Sequence, residues 1–135
     1  MSTKIFVNLP VRDLKRSIDF FTKLGYKFNA QFTDEKATCM IVSDDINVML
    51  LTEPFFKTFT KKEIADPHKT TEVILALMVG SKAKVDEMMT AAISAGGNEY
   101  REKMDHGWMY QRSFSDPDGH QWELFFMDAS QMPKA

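Results

Sequence analysis

Hydrophobic and polar positions along this chain fall into two similar runs of elements. Residues 4–9 alternate, with Ile5, Val7 and Leu9 opposite Phe6 and Asn8, and predict a strand that Pro10 ends. Asp13 is placed to cap a helix in which Leu14, Ile18, Phe21 and Leu24 recur at helical spacing, and Gly25 stands where a helix commonly stops. Residues 26–32 read as extended and 33–36 as a polar turn. Two apolar strands follow at 37–42 and 46–52, joined by Ser43-Asp-Asp45. The second run repeats this order. A strand at 71–79 is apolar enough for burial on both faces. Ser81 caps a helix whose stripe is Val85, Met88, Met89, Ala92 and Ile93, and Gly96-Gly97 closes it. A short extended piece at 98–101, a polar loop at 102–107 and strands at 108–114 and 120–127 complete the run. Between the runs lie about twenty irregular residues, 53–72, a length usual for binding loops, lids or linkers. Thr60-Lys-Lys-Glu63 within them has the form of a capping box and predicts a short helix at 61–65. Residues 129–135 have the composition of a frayed tail.

Aligned by element, Phe6 falls against Ile74, Gly25 against Gly96 or Gly97, and Leu50 against Glu123. This gives an α+β domain over 1–128 made of two βαβββ modules, about 4–52 and about 73–128, joined by the 53–72 linker. Neither module has a complete core alone, so their sheets are expected to be buried together. Pairing them leaves a concave surface, the kind of place where small molecules bind.

The closing stretch, Ser115-Asp-Pro-Asp-Gly-His-Gln-Trp-Glu-Leu-Phe-Phe126, carries the main chemical question. Its first half is a turn: Pro117 sets φ, Asp116 and Asp118 can bond back to the backbone, and Gly119 accepts positive φ. Its second half is a strand with Trp122, Leu124 and Phe126 on one face and Gln121, Glu123 and Phe125 on the other. Glu123 is therefore an acid among large apolar residues. If buried, it needs a cation, a hydrogen-bond donor, a metal or a proton. At a sheet edge it would simply reach solvent.

Composition narrows the classes of function. The 135 residues suit one domain, and 17 basic against 19 acidic residues leave a net charge of −2, with no excess of positive charge for nucleic acid or an anionic membrane. Cys39 is the single cysteine, which rules out an intramolecular disulfide and fits a reducing cytoplasm. No apolar run has the length of a signal peptide or a membrane span. Ten methionines and eleven phenylalanines point to a soft, aromatic-rich core or pocket.

The first-half stretch Leu9-Pro-Val-Arg-Asp-Leu-Lys-Arg-Ser-Ile-Asp-Phe-Phe-Thr-Lys-Leu-Gly25 and the second-half Asp116-Pro-Asp-Gly-His-Gln-Trp-Glu123 together resemble the vicinal oxygen chelate superfamily. That group includes glyoxalase I, extradiol dioxygenases, fosfomycin-resistance thiol transferases, methylmalonyl-CoA epimerase and bleomycin-resistance proteins. The resemblance runs to about Asp128. It implies a curved, cup-shaped mixed sheet with the helices outside, commonly in a homodimer. It also implies, in metal-dependent members, one ligand from each of four strands. Carried over, those positions fall at Phe6, Leu50, Ile74 and Glu123. Phenyl and alkyl groups offer no lone pair, so no metal and no other cofactor is expected. His68, His106 and His120 all lie in loops or at a strand edge.

The cup is expected to be lined by Phe6, Asn8, Val48, Leu50, Ile74, Ala76 and Glu123, with either Trp108 and Tyr110 or Met109 and Gln111 added by strand alternation. Asn8, Arg112 or a cationic ligand could pair Glu123. Three functions follow. The first is metal-free binding of a small organic molecule, as in the bleomycin-resistance branch. The second is a metal-independent lyase or isomerase with Glu123 as general base on a carbonyl substrate. There, His106 and Tyr110 could assist, and Arg101 or Arg112 would hold the developing charge. The third is a non-catalytic dimeric interaction domain.

Overall fold

The computed structural model describes residues 2–133, and these divide after Asp66 into two compact units. The first contains β1 (Ile5–Val11), α1 (Leu14–Lys23), β2 (Lys27–Asn29), β3 (Ala37–Ile41), β4 (Ile46–Thr52) and a four-residue helix α2 (Glu53–Phe56). Its sheet has the order β1-β4-β3-β2, with β1 parallel to β4 and the other pairs antiparallel. The second unit contains β5 (Ile74–Met78), α3 (Lys82–Ser94), β6 (Met104–Asp105), β7 (Met109–Ser115) and β8 (Gln121–Met127). Its order, β5-β8-β7-β6, repeats the first, again with one parallel pair, β5 and β8. Both units are thus βαβββ modules, and the α+β class read from the sequence holds.

The long helices begin and end by the same local chemistry. The side chain of Asp13 accepts from the Arg16 N–H at 3.1 Å, and that of Ser81 accepts from the Lys84 N–H at 3.0 Å. At the other end, Gly25 donates to the Thr22 carbonyl while Tyr26 donates to that of Phe21. Gly96 and Gly97 make the matching pair of bonds to Ile93 and Ala92. This double bond pattern needs a left-handed residue, and φ is 104° at Gly25 and 105° at Gly96. Gly96, not Gly97, is therefore the counterpart of Gly25. The helices bury Ser17, Phe20 and Phe21, and Val85, Met88, Met89 and Ala92. Ile93, expected in the second stripe, is 46% exposed instead.

Strand register decides which side chains share a face. In the second unit, Leu75 and Leu77 align with Trp122 and Leu124, and Arg112 and Phe114 lie opposite these on β7. The Tyr110 hydroxyl donates to Asp86 on α3, so this is the face that the helix covers. The opposite face carries Ala76, Ser113 and Glu123 in one row. In the first unit, Val7 and Leu9 align with Val48 and Leu50, whereas Phe6 and Asn8 align with Asn47 and Met49.

Five local expectations are corrected. No helix forms at 61–65. Pro54, well suited to a first turn, starts α2 earlier, a 3-10 turn (Lys57–Phe59) follows, and the Thr60 hydroxyl accepts from Lys62 in a tight local turn. With Pro67 closing the stretch, too few residues remain to nucleate a helix. The strand at 71–79 shortens to β5, an edge strand, and is not buried on both faces: Ile74 and Met78 are 47% and 54% exposed. The polar loop at 102–107 contains β6, formed because Met104 and Asp105 pair with Gln111 and Tyr110. Residues 26–32 are extended only over β2, after which Asn29 caps a 3-10 turn (Ala30–Phe32). The tail keeps a 3-10 turn (Ala129–Gln131) capped by Asp128; positions 134 and 135 lie outside the described residues.

Candidate functional site

Register separates the expected cavity residues into two sets. Phe6 and Asn8 occupy the open face of the first sheet, and Ile74, Ala76 and Glu123 occupy the open face of the second. Val48, Leu50 and Tyr110 do not join them. Val48 and Leu50 share a face with Val7 and Leu9 and are buried, and Tyr110 points at α3. Leu50 fails by a single residue: the position in β4 that matches Glu123 is Met49, which stands beside Asn8 as Glu123 stands beside Ala76. One residue of slip moves a side chain to the other face of a sheet. Trp108 precedes β7, stacks on His106 with ring centroids 6.3 Å apart, and accepts from the Asp128 N–H through its carbonyl. Of the two alternatives for β7, Met109 and Gln111 are the residues on the Glu123 face.

Glu123 is half-buried, and among the described residues no hydrogen bond or ion pair reaches its carboxylate. Ser113 lies directly across from it and is 1% exposed. The antiparallel bridge between Asn98 and Ser115 brings Tyr100 alongside Ser113. Neither hydroxyl has a hydrogen-bond partner among the described residues, and both oxygens are buried. They stand close enough to influence each other, without the geometry of a hydrogen bond. Burial pushes the Tyr100 phenol above its ordinary value, the neighbouring Ser113 hydroxyl pulls it partly back, and the Glu123 charge raises it again. Sequence reasoning missed both residues. Ser113 was within reach, because a five-residue turn from Asp116 to His120 sets it opposite Glu123. Tyr100 depends on a single long-range bridge.

Arg112, a candidate partner for Glu123, is committed elsewhere. It lies on the helix-covered face, donating to Glu99 through Nε and one terminal nitrogen at 2.9 and 2.8 Å, and to Asp86 through the other at 3.0 Å. Tyr110 donates to the same Asp86 oxygen at 2.6 Å. Burial and the Asp86 carboxylate push the Tyr110 phenol up to about 12. These groups, with Tyr100 to Lys103, line an open groove of about 930 Å³. Arg112 holds Glu99 below the usual carboxylate value, and Tyr110 and then Arg112 do the same for Asp86. Folded-state values below the unfolded ones mean that the clamp contributes stability above the ordinary values of 4.5 and 3.8. That contribution is lost as pH falls through the lowered folded values. Asp86 is half-exposed, so Arg112→Ala is expected to cost only about 1–2 kcal/mol at pH 7. Urea unfolding of both proteins at pH 7 and pH 3 tests this. The difference between them should shrink at the lower pH, and a gap of unchanged size would show that the clamp is not its source.

A family model described as the glyoxalase/bleomycin resistance protein/dioxygenase superfamily matches residues 5–124. The chain belongs to that superfamily. Solved structures agree with its fold. A hypothetical protein from S. aureus, SA1046, is 25% identical with a TM-score of 0.79, covering 93% of this chain and 94% of its own. A family enzyme from Burkholderia phytofirmans is 15% identical with a TM-score of 0.77, covering 94% and 100%. The fosfomycin resistance protein FosX from Mesorhizobium loti is 14% identical with a TM-score of 0.69, covering 97% of each chain. No curated protein matches the sequence.

Within the superfamily pattern, the corrected register makes the four positions expected to supply metal ligands Phe6, Met49, Ile74 and Glu123. A thioether is a soft, weak donor, and two of the four offer none, so this set does not fit a hard divalent ion. Among the described residues, no group of three His, Cys, Asp or Glu side chains is arranged to hold a metal. Of the amides near these positions, Asn47 accepts from the Cys39 thiol at 3.6 Å and Gln121 from the Thr71 hydroxyl at 3.1 Å, while Asn8, beside Met49, is exposed. Cys39 is buried, which pushes its thiol up and away from reactivity. No described helix is long and apolar enough to cross a membrane.

Proposed function

We propose that this superfamily member binds a small organic molecule, without a metal, on the sheet face that carries Glu123. The observation that carries the reading is a carboxylate with no partner among the described residues, on a face where Ile74 and Met78 remain about half exposed. Unpaired charge beside exposed apolar surface is characteristic of a recognition site. The bleomycin-resistance branch supplies the nearest analogy. A general-base role for Glu123 has less support, because Arg112 is held on the opposite face by Glu99 and Asp86. The exposed edge strands β1 and β5 also support self-association, and a cytoplasmic homodimer is the form we propose for the working protein.

Native mass spectrometry of untagged protein, with thermal-shift screening of aromatic and amphipathic amines, alcohols and acids, tests the reading. A retained organic adduct or a compound that raises Tm is expected, and Glu123→Gln should weaken binding of that compound about tenfold. An unchanged affinity for every compound in the Glu123→Gln protein would remove Glu123 from the site.

A further inference from the structure

Ser113 and Tyr100 have no role in the fold that their contacts explain. Ser113 stands inside a row that crosses the second sheet from Ala76 through Glu123 and Ser113 to Tyr100. Its hydroxyl is withdrawn from solvent and, among the described residues, meets the geometry of no hydrogen bond, and the Tyr100 hydroxyl beside it is in the same condition. An alanine and a phenylalanine would fill the same places without two unsatisfied oxygens. The Cβ atoms of neighbours in such a row stand about 5 Å apart, the spacing of side chains directly across adjacent strands.

We infer that Glu123, Ser113 and Tyr100 form one polar subsite for an organic cation that carries a hydrogen-bonding oxygen beside its charged nitrogen, such as an amino alcohol or an amino amide with an apolar body. The inference rests on the binding reading above and names its ligand class. Glu123 can only accept, so it takes the protonated nitrogen. The two hydroxyls can donate, so they take the neighbouring oxygen. Ile74 and Met78, exposed on the same face, cover the apolar body. Both hydroxyls are buried before a ligand arrives, so the Tyr100 side chain must shift to admit it, and the ligand oxygen then satisfies what the protein alone leaves unpaired.

Three probes separate the contributions: 2-amino-1-phenylethanol, 2-phenylethylamine and 1-phenylethanol, titrated into ¹⁵N-labelled protein while the signals of β5, β7 and β8 are followed. The amino alcohol is expected to bind about tenfold more tightly than the amine, the worth of one good hydrogen bond. In Ser113→Ala and Tyr100→Phe that preference should disappear while the amine's own affinity is unchanged. Both variants should melt no lower than the parent, because each removes an unsatisfied group. A lower Tm in either would show that the hydroxyls serve the fold and would overturn the inference. Equal binding of the two amines, or a preference that survives both variants, would also overturn it. Tight binding of the neutral 1-phenylethanol would preserve small-molecule binding on this face and overturn the cationic class. Silence from all three probes would overturn the class as well, and with no adduct in the native mass spectrum the binding reading falls too.

Discussion

Asp116→Ala is expected to cost about 3–5 kcal/mol, because it strands two deeply buried donors and weakens a third. The Asp116 carboxylate is 5% exposed. One oxygen accepts from the backbone N–H groups of Asp118 and His120, and the other from the Trp122 indole, each at 3.0 Å. Trp122 is itself buried and stacks on Phe114 with an interplanar angle of 2°. The acid thus ties the turn to the core of the second unit. Burial pushes the Asp116 carboxyl up, and the charge of His120 and the donors around it pull it back. A loss of this size is a large share of the stability of an ordinary domain. Urea unfolding followed by tryptophan fluorescence measures it. A loss below 1 kcal/mol would mean that the turn closes without its acid. Asp116→Asn should also be costly, because an amide has one acceptor where two are needed, and its NH₂ would face another donor.

Gly119→Ala comes second, with an expected cost of about 2–4 kcal/mol that joins backbone strain to a collision. Gly119 has φ +94°, outside the comfortable range of an L residue. A Cβ there would lie 2.8 Å from Nδ1 of His68 and 3.0 Å from both the His68 nitrogen and the Pro67 carbonyl carbon. A side-chain end could swing away, but the two backbone atoms could not without moving the Pro67–His68 segment. Gly25→Ala is the control. Its φ is +104° but nothing lies within 4 Å of the added carbon, so only the conformational part, about 1 kcal/mol, should appear. Equal losses at the two positions would show that the His68 contact is slack.

Much of the fold could be read from local signals. Asp13 and Ser81, followed by apolar stripes and closed by Gly25 and Gly96, mark two helices whose caps behave as their side-chain chemistry requires. Asp116, Pro117 and Gly119 mark a turn that forms where they stand. Glu123 was likewise identifiable as the carboxylate in question, since alternation in β8 depends only on a period of two. Each of these signals acts within a few residues and needs no knowledge of the rest of the chain.

What failed depended on register between distant strands. Leu50 and Val48 are as apolar as a cavity lining should be, but β4 pairs with β1 so that Met49 and Asn47, not they, share the face of Phe6 and Asn8. Composition does not distinguish the two faces of a uniformly apolar strand. Tyr110 was placed beside Glu123 for the same reason, and the deciding contact, its bond to Asp86 on α3, spans 24 residues. The exposure of β5 is likewise a matter of position: an edge strand is covered on fewer sides than its hydrophobicity suggests.

The sequence by itself determined the two βαβββ modules, their caps and turns, the superfamily, and an acid at 123 on the face opposite Trp122 and Leu124. These follow from short-range sterics, hydrogen bonding and residue chemistry, which are carried by each segment alone. Only the tertiary structure decided that Arg112 turns away to Glu99 and Asp86 and that Tyr100 stands in the row with Ser113 and Glu123. Side chains a dozen or more residues apart become neighbours only through the pairing of strands and the docking of the helix, and a shift of one residue in that pairing exchanges every face.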